Sequence, residues 1–500
     1  MPEFPYLRPQ AAAETAVCRF SGLDRRVRPA DGALRAGRQL DPDGFPALCP
    51  SAPFARTEAL TNATDLVAAC GGLGWIADGT FYWNGAARGS VSAGRHQLAV
   101  IGTKIVIFPD KLLFDTAGTD GLTGMEAVTI GQAVFTADTV TFETDAPFRA
   151  GDGVTLSGCT SLTENNKTVV VREVSGKTVT CDAECFASGT EAAVTARRAV
   201  PALDFVCEKD NRLWGVHDGK ICCSVLGDPC NWNVFEGLAG DGWETAVGTG
   251  GDFTGCAAYA SHVLFFKEDC VHKVYGVKPS NFQVQVSRIP GVQAGCERSI
   301  LNVGETVYWW ARDGLVAYGG GVPDRLSAPL GEDGWESVCA GAVGHTLYLS
   351  GLRAGVGETT ALNLETGLFA PQDETQALAF AGQAGTLYAL RDDGLYAPDP
   401  DAVPAWEAVL GPFGDARGAR RLLSRIVLVI EPESTCELTV RLSADGGPFE
   451  PVWAGAVLPP GVLRIPVVLR DGERFALRLS GRGRMRVRAL VTRTRSGGSL

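Results

Sequence analysis

Five histidines, fifteen cysteines and fifty-seven carboxylates are the side chains with most chemistry to offer in this 500-residue chain. None of His96, His217, His262, His272 and His345 sits in a spacing such as His-Glu-x-x-His, which sets two imidazoles on one helix face for a metal. His262 and His272 flank one hairpin pattern and read as strand residues. Cys181 with Cys185, and Cys222-Cys223 with Cys230, are the best zinc candidates, but neither group forms paired Cys-x-x-Cys units. Gly248-Thr249-Gly250-Gly251 lacks the lysine and helix of a phosphate loop, Gly71-Gly72-Leu73-Gly74 is equally weak, and no Gly-x-Ser-x-Gly elbow occurs. The carboxylates are abundant, and spacing singles out no pair for glycoside hydrolysis. The expectation is no catalytic residue, no cofactor, no metal, and a protein that is not an enzyme.

What must position any site is a recurring phrase, an apolar pair, a turn with an acidic residue or glycine, and a second apolar run. It reads Leu213-Trp214, Asp218-Gly219, Ile221; then Val263 to Phe265, Glu268-Asp269, Val271; then Val307 to Trp309, Asp313-Gly314-Leu315; then Leu387-Tyr388, Asp393-Gly394-Leu395. Weaker copies lie at Trp75 to Trp83, Ile105 to Phe114 and Leu347-Tyr348. Each copy is a hairpin signal, and repeated hairpins bury their faces only by packing on one another. Taking Leu213, Val263, Val307, Leu347 and Leu387 as first-strand markers gives steps of 50, 44, 40 and 40 residues. Roughly 40–50 residues is the length of one propeller blade.

The fold class expected is all-β, a β-propeller of about six or seven blades with an inserted small β domain and a C-terminal β-sandwich. Residues 1–60, irregular and rich in Pro, Gly and Arg, form an extended arm that threads along neighbours or closes the ring. Residues 61–120 are the first blades and 200–411 the remaining ones. Residues 121–199 carry alternating Thr- and Val-rich runs and read as a domain inserted at a loop tip. Residues 412–500 have longer strands and read as an Arg-rich sandwich.

A hydrophobic content of 45% supports several cores. No apolar stretch approaches a membrane span, and Met1-Pro2-Glu3-Phe4 lacks a secretory leader, so a cytosolic origin with mostly free thiols is expected. Charge is uneven. Beyond Gly411, fifteen arginines and eight acidic residues give +7, which leaves −19 for the rest of a chain of net charge −12. Arg482, Arg484, Arg486 and Arg488 alternate with Met485 and Val487 as one strand would, placing four guanidiniums on one face. Such a face is either a solvated edge or a docking surface for an acidic partner, protein or nucleic acid.

Asn211-Arg212-Leu213-Trp214-Gly215, followed by Leu226-Gly227-Asp228-Pro229 and Asn231-Trp232-Asn233, resembles a tail protein widespread in bacterial prophages. Gly251 to Gly255, Leu264 to Glu268, His272 to Gly276, Pro290 to Gly295 and Asp43 to Leu48 fit the same family. The overall plan is similar to the tail hub, or packaged-DNA stabilisation protein, of short-tailed phages; the insert departs from it. The resemblance implies a structural virion protein assembled in the host cytoplasm. It would be a hexameric ring contacting other tail or neck proteins and packaged DNA, and would help to retain or pass that DNA. It implies no catalytic residue. The alternative is a carbohydrate- or receptor-binding tail module on the propeller, with Trp309 and Trp310 as candidate sugar platforms, and less favoured is a glycan hydrolase. Ser443-Ala444-Asp445-Gly446-Gly447 partly resembles the Asp-box turn of sialidase propellers, but a plain Asp-Gly hairpin turn explains it better.

Overall fold

A computed structural model describes residues 12–30, 32–414, 420–459 and 461–496. The Met1 to Phe4 start lies outside the described residues. Among the described residues strands are the only long elements, interrupted by four 3-10 turns. Seven antiparallel four-stranded sheets are the blades of a β-propeller, accompanied by one seven-stranded insert and two sandwich sheets. In the order in which they follow one another we number the blades 1 (residues 63–90), 2 (97–124), 3 (205–246), 4 (255–287), 5 (301–325), 6 (335–373) and 7 (379–398 with Phe54–Ala59).

The seven apolar markers Trp75, Ile105, Leu213, Val263, Val307, Leu347 and Leu387 are all buried, one in each blade. They lie on the second strand of their blades, not the first. The phrase therefore records the hairpin between strands two and three, and the first strand precedes it each time. Asp78-Gly79 and Asp218-Gly219 both take positive φ at the two central positions, as a tight hairpin turn requires.

The chain divides into two compact units, residues 60–313 with 317–324, and residues 1–59 with 314–316 and 325–500. In the first, the insert is one sheet built on Ala127–Phe135 and Gly189–Arg198, with a core of Phe135, Phe142, Val154, Leu156, Val179 and Val194. The residues that carry the family resemblance anchor it. Asn231 donates from Nδ2 to Gly151 O at 2.6 Å and accepts from Gly153 N at 3.2 Å, and Gly153 has no room for a Cβ because Asn233 O would lie 2.4 Å away. Buried Arg212 donates to the carbonyls of Ser224 (2.7 Å), Asp241 (2.5 Å) and Ala239 (2.6 Å), which shapes the loop bearing Asn231.

In the second unit the N-terminal arm supplies strands to three sheets. Phe54–Ala59 completes blade 7 beside Gly394–Pro398. Ala12–Val17 pairs with Met485–Ser496, and Leu34–Arg38 with Ala405–Gly414, so each sandwich sheet gains an N-terminal strand. The sandwich core alternates along its strands, with Ile426, Leu428 and Ile430 facing in from one sheet and Leu438, Val440 and Leu442 from the other.

Candidate functional site

The expected positions are placed as follows. Trp309 and Trp310 are both buried, and Trp309 Nε1 donates to Pro290 O at 3.2 Å. Both faces of that strand are covered by packing, which removes these rings as sugar platforms. The four arginines are not on one strand. Arg482 ends the strand Arg474–Arg482, Arg484 lies in the following turn, and Arg486 and Arg488 lie on Met485–Ser496. The break is at Gly483, whose φ of 106° and closeness to Cys436 Sγ (2.7 Å from an added Cβ) make a turn there. Arg484 donates to Pro400 O and Arg488 binds Glu431 at 2.8 Å. Arg482, Arg486 and Arg488 remain exposed.

Burial pushes the thiols of Cys181 and Cys223 up to about 12 and raises that of Cys222 as well. That favours the neutral thiol, whereas a zinc ligand must be a thiolate. Among the described residues no group of three or more His, Cys, Asp or Glu side chains is arranged to hold a metal ion. Ser443 Oγ bonds Gly447 O at 2.6 Å, and Asp445 accepts from Glu473 N and Arg474 N, so that segment is a turn holding two strands together.

A concave feature lies instead along the first strands of blades 2 to 5, a cavity of about 350 Å³. Its polar lining comes from Gln97 (blade 2), Glu208 (blade 3), Asn302 (blade 5) and Glu297 just before blade 5. Leu98, Phe205 and Ile300 are among the apolar groups between them. A second hollow of about 330 Å³ continues at the turn ends of the same strands, sharing Glu208 and Asn302 and adding Asp210, Tyr259 and Glu305. Gly255 brings blade 4 close to blade 5, because a Cβ there would stand 2.6 Å from Ile300 Cδ1.

The loops leading into these strands are held by buried charge. Asp65, on the first strand of blade 1, accepts from His96 N at 3.1 Å, contacts His96 Nδ1 at 3.0 Å and pairs with Arg298. Arg298 also donates to Thr64 O at 2.7 Å, which ties the entry to blade 5 to blade 1. The hydrogen bond to Asp65 holds the His96 imidazole above its ordinary pKa, assisted by Asp110 at 3.5 Å and opposed by burial. Next to Arg298, Glu297 turns to the cavity and meets Arg95 at 3.5 Å. Glu208 accepts from Asn211 N at 2.7 Å. His262, by contrast, is buried against Tyr318 and near Lys273, and burial lowers its pKa to about 4.

Gln97, Glu208, Glu297 and Asn302 were not singled out by motif or spacing. The available signal was their place on or just before the first strand of a repeat copy, which the phrase, marking second strands, left unmarked. Chemically the cavity offers two carboxylates and two amides beside apolar surface, a set able to hydrogen-bond a polyhydroxylated ligand while covering its apolar faces.

The chain matches no protein-family profile and no curated protein. Solved structures similar to it include the exo-beta-1,3-galactanase of Phanerochaete chrysosporium with galactose, at 8% identity over 57% of this chain and 94% of that one, TM-score 0.24. The phage phi92 endosialidase is similar at 11% identity over 73% and 66% of the two chains, TM-score 0.27. PorZ of the Porphyromonas gingivalis type-IX secretion system is similar at 9% identity over 87% and 81%, TM-score 0.28. At such identities the likeness concerns the fold alone. The expectation that the chain is not an enzyme is not kept: glycoside hydrolases stand among these structures, and the likeness assigns this chain no activity. That expectation rested on finding no catalytic spacing, and a propeller assembles its cavity from separate blades that no local spacing records. Among the described residues no helix is long and apolar enough to cross a membrane.

Proposed function

We propose that this chain is a phage tail protein whose propeller binds a host-surface carbohydrate in the cavity along the first strands of blades 2 to 5. The observation that carries the reading is the lining of that cavity, where Gln97, Glu208, Glu297 and Asn302 converge from three blades beside Leu98, Phe205 and Ile300. Sugar hydroxyls need both donors and acceptors, which the two amides supply, and strong acceptors, which the carboxylates supply. The tail assignment is supported by the resemblance at residues 211–233, and the propeller architecture suits a rigid binding face. Among the described residues Glu208 and Glu297 are the carboxylates lining the larger cavity, and they are the acid and base candidates if binding is followed by hydrolysis. Binding of the full chain to an array of bacterial surface glycans tests the reading, with release of reducing ends from each bound glycan as the test of hydrolysis. No bound glycan, or binding indifferent to Glu208→Gln and Gln97→Ala, overturns it. The hub role, hexameric ring, neck partners and DNA contact rest on the resemblance. Imaging of the purified full chain, in which rings are the expected particle and monomers the contrary one, tests them separately.

A further inference from the structure

Two cysteines in the cavity wall take no part in the function above. Cys207 lies on Phe205–Lys209, the first strand of blade 3, and Cys256 on Gly255–Tyr259, the first strand of blade 4. The two strands approach within 8 Å of one another. Both residues line the larger cavity and share the apolar packing between the blades, with Trp214, Val216 and Phe265 around them. The two thiols share that packing closely enough for Cys207 to help raise the pKa of Cys256, after burial as the main cause. Both are free thiols, Cys256 buried and Cys207 half-buried. No comparable arrangement exists at Cys222-Cys223, whose side chains leave opposite faces of one strand.

We propose that Cys207 and Cys256 are a modification site, a dithiol that closes to a disulfide joining blades 3 and 4 when the chain meets a small-molecule disulfide. The more accessible Cys207 thiolate attacks one sulfur of the oxidant, its proton passing to solvent, and one small thiolate leaves and takes up a proton. The Cys256 sulfur then displaces the second small thiolate from Cys207, and the Cys256 proton goes to that leaving group. Two protein thiols are oxidised and one small disulfide is reduced to two small thiols. The surroundings favour this product over a metal dithiolate. Burial holds Cys256 as the neutral thiol, and Glu208 and Glu297 in the same cavity oppose added negative charge, while a disulfide carries none. The inference stands whether or not the cavity binds a glycan.

The test incubates the full chain with oxidised glutathione, blocks remaining thiols with iodoacetamide and maps the peptides by mass. The expected result is a linked pair of peptides containing Cys207 and Cys256, lighter by two hydrogens and separated by dithiothreitol. Cys256→Ala should instead trap glutathione on Cys207, and Cys207→Ser should abolish the linked pair. If either variant fails to fold, the wild-type map decides alone. Finding both cysteines alkylated after oxidation, or Cys207 linked to a different cysteine, overturns the proposal.

Discussion

Replacing Arg198 by methionine should loosen the inserted sheet and little else. Arg198 Nη1 lies 3.0 Å from Asp152 Oδ2, Nη2 donates to Met125 O at 3.0 Å, and the two side chains are 7% and 1% exposed. Methionine keeps most of the volume but leaves the Asp152 carboxylate buried beside the Arg149 N–H, 3.1 Å away, with no cation to balance its charge among the described residues. Breaking a buried pair on one side costs about 3–5 kcal/mol, because the remaining charge stays desolvated. At about 1.4 kcal/mol per decade, opening of the insert rises by roughly 10²- to 10³-fold or more. Amide hydrogen exchange reads this directly. Protection should fall in Gly153–Ser157 and Gly189–Arg198, whereas His262–Lys267 of blade 4 should keep its own. Adding Asp152→Asn should recover part of the loss, since no buried charge then remains. A change under about 0.5 kcal/mol in the single variant, or a double variant as unstable as the sum of both singles, would refute the reasoning.

Three further outcomes follow from the same geometry. The folded-state pKa of His96 is raised, so the stability it brings is fully present below its unfolded value and is lost as pH rises through the folded value. The gap in urea stability between the wild type and His96→Gln should therefore shrink from pH 6 to pH 8.5, and a widening gap contradicts the Asp65 assignment. Gly483→Ala should cost about 1–3 kcal/mol, because φ there is 106° and the new Cβ meets Cys436 Sγ; unchanged thermal unfolding refutes it. Arg486→Gln with Arg488→Gln should alter stability by no more than about 1 kcal/mol, since these side chains are exposed. If the basic face docks an acidic partner, the same pair of changes should weaken salt-sensitive retention on heparin, and unchanged retention removes that role.

The repeat was legible because Asp-Gly turns and buried apolar pairs are local. Asp218-Gly219 and Leu213 report a hairpin from a dozen residues, and the insert announces itself as an excess of sequence between Ile105 and Leu213. Strand pairing between distant segments was not legible. Nothing in Ala12–Val17, five of whose six residues are exposed, indicates that it pairs with Met485–Ser496. The arginine run misled for a related reason. Alternation Arg482 to Arg488 fits one strand, yet a turn at Gly483 carries the chain from one sandwich sheet to the other. The cavity was hidden more deeply, because Gln97, Glu208, Glu297 and Asn302 come together only when separate blades stand side by side. The residues carrying the resemblance, Asn231 and Arg212, prove to be fasteners of the insert and its neighbouring loop.

The central claim is that the lining of the first-strand cavity recognises a carbohydrate. The direct measurement is calorimetric titration of the full chain with a surface polysaccharide selected on the glycan array, repeated with Glu208→Gln, Glu297→Gln and Gln97→Ala. The account predicts saturable binding by the wild type and a loss of about tenfold or more in at least two of the variants, each loss equivalent to about one charge-assisted hydrogen bond. Equal affinity in all four proteins, or no saturable binding to any glycan, would contradict it.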